Sequence, residues 1–236
     1  MKNEVKFTID DVEVSCEAGQ SIIEAADTAG VYIPRLCHKP GLQPFGGCRV
    51  CTVLANGRPC SACTQPVAPG MIVQNDTEQL RDYRKALVEM MFVEGNHFCM
   101  FCEKSGSCEL QALAYRMGID VPRFPFLFPK RDVDASHPDI LVDHNRCILC
   151  ARCIRTSRDV DGKQVFDFVG RGMGKRVAVQ AGTRLVDSDA DVSDAAIEAC
   201  PVGALLKKRV GFATPIGSRA YDSTPIGSDI EDGKGR

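Results

Sequence analysis

The chain has 236 residues, 13 cysteines and a net charge of −2. This near-neutral charge excludes the basic footprint of a nucleic-acid binder and gives no attraction to an anionic membrane surface. No apolar run reaches the roughly 18 residues that a membrane span needs, and residues 1–6 lack the apolar stretch of a signal peptide. We therefore expect a cytoplasmic protein, in which cysteines this frequent serve as metal ligands rather than disulfides.

The first quarter of the chain has the pattern of a small α+β domain. Apolar and polar side chains alternate over residues 5–9 and 12–15, which predicts a β-hairpin. Ser21 and Glu24 have the spacing of a capping box, so a helix is expected to begin there. A further strand is predicted at 50–54. The order strand, strand, helix, loop, strand is that of a small ferredoxin-type domain.

Helical spacing dominates the next segment. Residues 77–94 predict a long helix, and a second helix is expected at 107–118. The core-facing stripe of the first includes Leu80, Leu87 and Met90. Prolines then interrupt the pattern, and the chain closes with a Gly-, Pro- and Ser-rich segment that we expect to be extended. The predicted organisation is a ferredoxin-type domain, a helical segment, a linker, a third small domain and an extended interaction tail, at residues 1–76, 77–119, 120–139, 140–210 and 211–236.

A first set of cysteines has a long glycine-containing loop, a C-x2-C pair and a distant partner. It comprises Cys37, Cys48 and Cys51, with either Cys60 or Cys63 as the fourth member. Glycines let a loop fold tightly around sulfide and point backbone N–H groups at anionic sulfur. The pattern favours a plant-type [2Fe–2S] cluster. A zinc site is the alternative, although such sites usually pair two short C-x2-C motifs.

Another set of cysteines, near the C-terminus, has the spacing C-x2-C-x2-C followed by a distant Cys-Pro. It consists of Cys147, Cys150, Cys153 and Cys200. This is half of the bacterial two-cluster ferredoxin pattern, in which the fourth cysteine of each run binds the other cluster. The set therefore predicts one [4Fe–4S] cluster.

The second cluster of that two-cluster pattern is predicted to be absent. Its four cysteines would fall at positions 157, 190, 193 and 196, which hold Ser157, Ala190, Ser193 and Ala196. All four ligands of one cluster are present, and all four of the other are missing. We therefore expect a two-cluster ferredoxin fold that has lost one cluster.

Three segments of the first domain carry a resemblance to a known family. They are residues 34–38 (PRLCH), 47–51 (GCRVC) and 62–67 (ACTQPV). They resemble the N-terminal domain of the large iron–sulfur subunit of respiratory complex I, which recurs in [FeFe]-hydrogenases and in the small diaphorase subunits of NAD-reducing hydrogenases. The resemblance implies a β-grasp fold and identifies Cys63, rather than Cys60, as the fourth ligand of the [2Fe–2S] cluster.

A further set of candidate ligands lies between the two cysteine sets described above. Residues 102–111 resemble the same family's histidine-ligated [4Fe–4S] site, which implies the ligands His97, Cys99, Cys102 and Cys108. Three cysteines leave one of four irons without a thiolate, and the imidazole of His97 is the nearest candidate. Only one residue separates His97 from Cys99, so the chain must bend sharply there. A water ligand, a [3Fe–4S] centre or a zinc ion on the same four residues are the alternatives.

The size of the chain and three more stretches narrow the resemblance to one group within this family. Residues 94–99 (EGNHFC), 102–106 (CEKSG) and 211–217 (GFATPIG) are similar to the small diaphorase subunits of soluble NAD-reducing [NiFe]-hydrogenases. That family implies one [2Fe–2S] and two [4Fe–4S] clusters that relay electrons. Its partners are a flavin- and NAD-binding diaphorase subunit and the small and large NiFe-hydrogenase subunits. It implies no catalytic residue and no NAD or FMN site in the chain itself.

Other functions remain open at this stage. The alternative is an equivalent relay subunit of another NAD(P)-linked complex, such as a formate dehydrogenase, a bifurcating hydrogenase or an NADH:quinone oxidoreductase. A free ferredoxin-like carrier is a second class, although three clusters are more than a diffusible carrier needs. A zinc-structured interaction scaffold is a third. Metal and sulfide content would separate the scaffold from the iron–sulfur proteins.

Overall fold

The structure is a computed structural model, which describes residues 4–180 and 184–233. The described residues therefore leave out part of the N-terminal segment that lacks signal-peptide character, part of the predicted third domain and part of the predicted tail. The first domain is a five-stranded mixed sheet in the order β2-β1-β5-β3-β4, with β1 parallel to β5. Its strands are β1 (Glu4–Ile9), β2 (Val12–Glu17), β3 (Thr52–Ala55), β4 (Arg58–Ser61) and β5 (Ile72–Gln74).

The predicted capping box opens the helix that packs on this sheet. Helix α1 spans Ile22–Thr28. The hydroxyl of Ser21 accepts from the Glu24 amide at 3.4 Å, and the Glu24 carboxylate accepts from the Ser21 amide at 2.8 Å. Ile22 and Ile23 are fully buried against the sheet. The hairpin and the capped helix are therefore confirmed, and the cysteine loops emerge from a rigid β-grasp scaffold.

Two helices follow the sheet. They are α2 (Glu78–Val93) and α3 (Glu109–Arg116), close to the predicted bounds. The predicted stripe on α2 is wrong at one position, because Met90 is 40% exposed while Arg84 is buried. The Arg84 guanidinium donates to the Thr52 and Asn75 carbonyls at 2.9 and 2.8 Å. A buried arginine with carbonyl partners thus attaches α2 to the first domain. Hydrophobic periodicity does not predict this contact.

The C-terminal part contains two small sheets. A three-stranded sheet has the order β10-β7-β6, and a hairpin joins β8 to β9. Strand β6 falls inside the segment predicted as a linker, where it pairs with β7. Two short helices, α4 and α5, pack together beside these sheets. The elements are β6 (Val133–Asp134), β7 (Ile140–Asp143), α4 (Arg152–Asp159), β8 (Phe166–Val169), β9 (Arg176–Val179), α5 (Ala195–Glu198) and β10 (Leu205–Lys207).

The tail runs back over the same chain and contains one short helix, α6 (Ser228–Glu231). The Tyr221 amide donates to the Gly106 carbonyl at 2.8 Å. Arg116 of α3 donates to the Ile226 carbonyl at 2.7 Å. These contacts hold the tail against the helical segment. None of the helices in the described residues has the length and apolar character needed to cross a membrane.

Candidate metal centres

The first ligand set converges at the edge of the β-grasp domain. Cys37, Cys48, Cys51 and Cys63 are all buried. The sulfurs of Cys51 and Cys63 lie 3.4 Å apart, and the Cys37 amide nitrogen lies 3.4 Å from the Cys48 sulfur. Four side chains from three segments of the sequence thus meet at one place.

The rival cysteine occupies a different position. Cys60 lies on β4, in register with Val53 of β3, and is partly exposed. Cys63 follows β4 and is fully buried. Cys16, the other cysteine outside the predicted sets, is in register with Val5 in the first hairpin, and burial raises its thiol pKa. Cys16 and Cys60 therefore belong to strands of the sheet rather than to the convergent set.

The loop of the first set points polar hydrogens at sulfur. Backbone N–H groups of Gly47 and Cys48 face the Cys37 sulfur. Arg49, inside the C-x2-C pair, has a left-handed φ of 60°. Thiolates are the ligand form of cysteine, so this environment fits an iron–sulfur cluster.

The second ligand set lines a single cavity. His97, Cys99, Cys102 and Cys108 surround it. Cys108 sits at the N-cap of α3, where backbone N–H groups of Leu110 and Gln111 face its sulfur. In the described ranges 4–180 and 184–233, no three His, Cys, Asp or Glu side chains are grouped compactly enough for a single metal ion.

The short spacer between His97 and Cys99 forms the expected sharp bend. The Phe98 amide donates to the Asn96 carbonyl at 3.2 Å, and the Cys99 amide donates to the His97 carbonyl at 3.1 Å. The imidazole accordingly lies on the same cavity as the three thiols. These two successive three-residue turns let the single spacer residue bring His97 and Cys99 to one side of the chain.

His97 has the chemistry of a metal ligand. Its Nε2 atom is buried without a hydrogen-bond partner, while the Met91 carbonyl accepts a hydrogen bond from the ring. Burial, reinforced by Arg146, lowers the pKa of His97 to about 4, so the ring is neutral near pH 7 and keeps a lone pair. A ligating histidine commonly donates its other N–H to a backbone carbonyl. The residues of this set therefore fit an iron–sulfur cluster.

The third ligand set lines another cavity. Cys147, Cys150, Cys153 and Cys200 all face it. Between these cysteines, Leu149 and Ala151 adopt left-handed φ values of 53° and 58°. The backbone N–H of Leu149 faces the Cys147 sulfur, and that of Arg152 faces the Cys150 sulfur. The strained turns of this loop thus aim amides at the thiols, which fits an anionic cluster.

Protein hydrogen bonds surround the positions at which the two-cluster ferredoxin pattern would place its second set of cysteines. The buried Ser157 hydroxyl accepts from the Val165 amide at 3.2 Å. The Asp161 carboxylate accepts from the Ala195 and Ala196 amides at 2.9 and 3.0 Å. Ser193 is exposed and bonds to Asp191. These side chains hold the α4–α5 region together without a ligand set of their own.

Residues next to the cysteines of the third set contact residues of both other sets. On the first-set side, Arg155 donates to the Cys37 carbonyl at 2.5 Å and reaches the Cys150 carbonyl at 3.5 Å. On the second-set side, the Glu109 amide donates to the Pro201 carbonyl at 2.8 Å. The second and third sets therefore meet directly through residues adjacent to Cys108 and Cys200.

Cysteine spacing does not predict several residues that contact the second set. Arg146 Nη1 lies 3.6 Å from the Cys102 sulfur. Gly203 packs so closely that an added Cβ would lie 2.5 Å from the same sulfur. Asn96 binds the Asn145 backbone and side chain. A weak signal for Gly203 is its place three residues after Cys200 in a Cys-Pro turn, whereas Arg146 and Asn96 have none.

Comparison with family models divides the chain into three iron–sulfur regions. Residues 2–78 match a 2Fe-2S iron–sulfur cluster binding domain. Residues 84–123 match the iron–sulfur binding region of NADH-ubiquinone oxidoreductase G. Residues 137–206 match the ferredoxin-like domain of NADH-quinone oxidoreductase subunit 3. A 2Fe-2S domain and 4Fe-4S binding regions are therefore present.

Whole-chain comparisons give the same family. The gamma subunit of the NAD-reducing hydrogenase HoxS of Cupriavidus necator is 42% identical over 92% of this chain and 93% of its own length. The 78 kDa NADH-ubiquinone oxidoreductase subunit of Candida albicans is 38% identical over 89% of this chain, which spans only 29% of that protein. A chain in a crystal structure of NAD+-reducing [NiFe]-hydrogenase in the H2-reduced state has TM-score 0.93 and 44% identity, with 98% of this chain and 99% of that chain covered. The chain belongs to the iron–sulfur subunit family that contains the gamma subunit of NAD-reducing hydrogenase and is homologous to the 78 kDa subunits of NADH-ubiquinone oxidoreductase.

Proposed function

We propose that the chain relays electrons between a hydrogen-activating NiFe module and a flavin- and NAD-binding diaphorase subunit. The observation that carries this proposal is that residues next to the third ligand set contact both of the others, since these contacts bring the three sets together in one chain. The similarity to the HoxS gamma subunit supports the same role, because it extends over nearly the full length of both chains.

In this proposal the chain binds one [2Fe–2S] cluster and two [4Fe–4S] clusters. When bound, each cluster supplies a site that takes up and releases one electron. The residues of the chain hold the clusters, exclude water from the buried sulfurs and set the local charge. The ligands are Cys37, Cys48, Cys51 and Cys63 for the first cluster, His97, Cys99, Cys102 and Cys108 for the second, and Cys147, Cys150, Cys153 and Cys200 for the third.

Histidine ligation gives the second cluster a distinct electrostatic character. A neutral imidazole replaces a thiolate, so the cluster carries less negative charge and its reduction potential rises, as it does where histidine replaces cysteine in Rieske centres. The Arg146 guanidinium near Cys102 acts in the same direction. We therefore infer that this cluster is the easier of the two [4Fe–4S] clusters to reduce.

The chain acts without a substrate site of its own, as the electron-transfer subunit of a hydrogen:NAD+ oxidoreductase. Its partners are the diaphorase subunit and the small and large NiFe-hydrogenase subunits, in the cytoplasm, where thiols stay reduced. The alternative is an equivalent relay in another NAD(P)-linked complex. The 38% identity to an NADH-ubiquinone oxidoreductase subunit favours that alternative, although this chain spans less than a third of that protein.

Affinity purification of the full chain from its native source tests this role. We expect flavin and nickel to co-purify with it, and the isolated complex to reduce NAD with hydrogen. Co-purification of flavin with molybdenum or tungsten would support a formate dehydrogenase instead. A monomer that passes electrons to many unrelated acceptors would overturn the subunit role and favour a free carrier.

A further inference from the structure

We infer that Arg152 is a positioning residue whose single guanidinium fixes the spacing of all three cluster-binding loops. This inference depends on the proposed function, because the spacing matters only when the loops hold clusters. Arg152 lies between Cys150 and Cys153, at the start of α4. It is therefore part of the third set's loop, but its side chain contacts the other two.

The contacts of the guanidinium reach one neighbour of a ligand in each of the other sets. Nη2 donates to the carbonyl of His38, which follows Cys37, at 2.8 Å. Nη1 and Nη2 also bind the carboxylate of Glu109, which follows Cys108, at 2.6 and 2.7 Å. We call this arrangement the Arg152 bridge: Arg152, the His38 carbonyl and the Glu109 carboxylate.

Because the bridge is largely buried, its hydrogen bonds must have good geometry. The Arg152 side chain is 5% exposed, and that of Glu109 is 24% exposed. A buried ion pair compensates for lost hydration only when its hydrogen-bond geometry is good. The two-pronged contact with Glu109 provides this geometry for both Nη atoms, whereas Nε is buried without a hydrogen-bond partner. Lysine carries the same charge on one nitrogen and lacks the planar fork, so it cannot hold both partners in this geometry.

A second link makes the bridge rigid on one side. The Glu109 amide donates to the Pro201 carbonyl, next to Cys200, at 2.8 Å. Glu109 is thus held to the third set's loop through both its backbone and its side chain. On the other side, Arg155 joins the first and third sets through the Cys37 and Cys150 carbonyls. In the bridge, by contrast, one side chain of the third set reaches both of the others.

Two consequences follow for electron transfer. The rate between two clusters falls steeply with their separation, so a group that holds three loops at fixed spacing controls both transfer steps. The guanidinium also places a buried positive charge among anionic centres, which favours their reduced forms. Loss of Arg152 therefore changes cluster separations and lowers reduction potentials, whereas Arg152→Lys keeps the charge and loses the geometry.

The test compares Arg152→Gln, Arg152→Lys and Arg158→Gln in the complete complex. Arg158 lies on the same helix and pairs with Asp159 near the surface, away from the three sets. We expect Arg152→Gln to shift potentials downward in EPR-monitored titrations and to change the magnetic coupling between reduced clusters. Arg152→Lys should restore the potentials but not the coupling, and Arg158→Gln should match the parent complex.

Glu109→Gln keeps the inference testable if Arg152→Gln loses its clusters. An amide keeps one acceptor for Arg152 and removes the carboxylate, so we expect a changed coupling between the second and third clusters and an unchanged one between the first and third. Parent-like couplings in both Glu109→Gln and Arg152→Lys would overturn the bridge. Failure of the proposed function looks different, because the parent complex itself would then lack clusters or hydrogen-linked NAD reduction.

Discussion

The amides that face Cys147 and Cys150 of the third set come from the same loop, whereas groups from distant segments pack on the second set. In the third set, Leu149 and Arg152 supply the amides that face the sulfurs of their neighbours Cys147 and Cys150. In the second set, Arg146 and Gly203 pack on the Cys102 sulfur from elsewhere in the sequence. Amides inside a ligand loop can therefore be anticipated from its spacing, while groups that pack on a ligand from distant segments require the tertiary structure.

The largest expected effect is the loss of the third cluster. Cys200→Ser removes a thiolate from the set that contacts both others, so both transfer steps fail. We expect iron content to fall from about ten to about six atoms per chain, one [4Fe–4S] EPR signal to vanish and hydrogen-linked NAD reduction to be abolished. Reduction of an artificial acceptor by NADH should survive on the diaphorase subunit.

The control for that variant is Ser193→Ala. Ser193 holds one of the positions predicted for the ligands of a lost second ferredoxin cluster and is exposed beside Asp191. We expect unchanged iron content and an unchanged EPR spectrum. Loss of a whole cluster in Ser193→Ala would show that the ligands are assigned to the wrong clusters.

A cross-set effect is expected from Gly203→Ala. Gly203 belongs to the third set's loop, yet an added Cβ would lie 2.5 Å from the Cys102 sulfur of the second set. We expect the second [4Fe–4S] signal to be lost while the third remains, as measured by EPR and iron content. The matched control is Gly174→Ala, where an added Cβ meets no atom within 4 Å. Loss of the third cluster instead of the second would contradict the packing.

His97→Cys sharpens the comparison between the two [4Fe–4S] clusters. A thiolate in place of a neutral imidazole makes the second cluster more negative, so its reduction potential should fall toward that of the third. The measurement is an EPR-monitored redox titration, with His97→Ala as the companion variant. An unchanged potential in His97→Cys, with the cluster retained, would mean that His97 is not a ligand.

The smallest expected effect concerns backbone strain in the third set's loop. Ala151 has a left-handed φ of 58°, which costs a residue with a Cβ on the order of 1 kcal/mol. Ala151→Gly should therefore raise the free energy of unfolding of the cluster-loaded protein by about that amount. Ala112→Gly, within α3, should lower it by about 1 kcal/mol. A destabilised Ala151→Gly would indicate that the turn is not strained.

Much of the scaffold could be predicted because it depends on local sequence. Alternation identifies the first hairpin, and the Ser21–Glu24 pair identifies the start of α1, both of which the structure confirms. The sharp bend between His97 and Cys99 also follows the expectation from the sequence, while ligation by His97 stays a prediction. Spacing was sufficient in these cases because the interacting residues are close in the sequence.

Contacts between distant segments could not be predicted in the same way. The buried role of Arg84 has no signature in the periodicity of α2, since a guanidinium in the core depends on carbonyls of the first domain. Arg152 likewise reads as an ordinary residue between two cysteines, yet it joins loops more than one hundred residues apart. The ligands are therefore visible in the sequence, but the spacing between the sets is not.

Iron and acid-labile sulfide quantitation on the purified chain, combined with EPR of the reduced protein, tests the three-cluster relay most directly. The account predicts about ten iron and ten sulfide atoms per chain, with one [2Fe–2S] signal and two [4Fe–4S] signals. Zinc without acid-labile sulfide, or iron for fewer than three clusters in the fully loaded native protein, would contradict it.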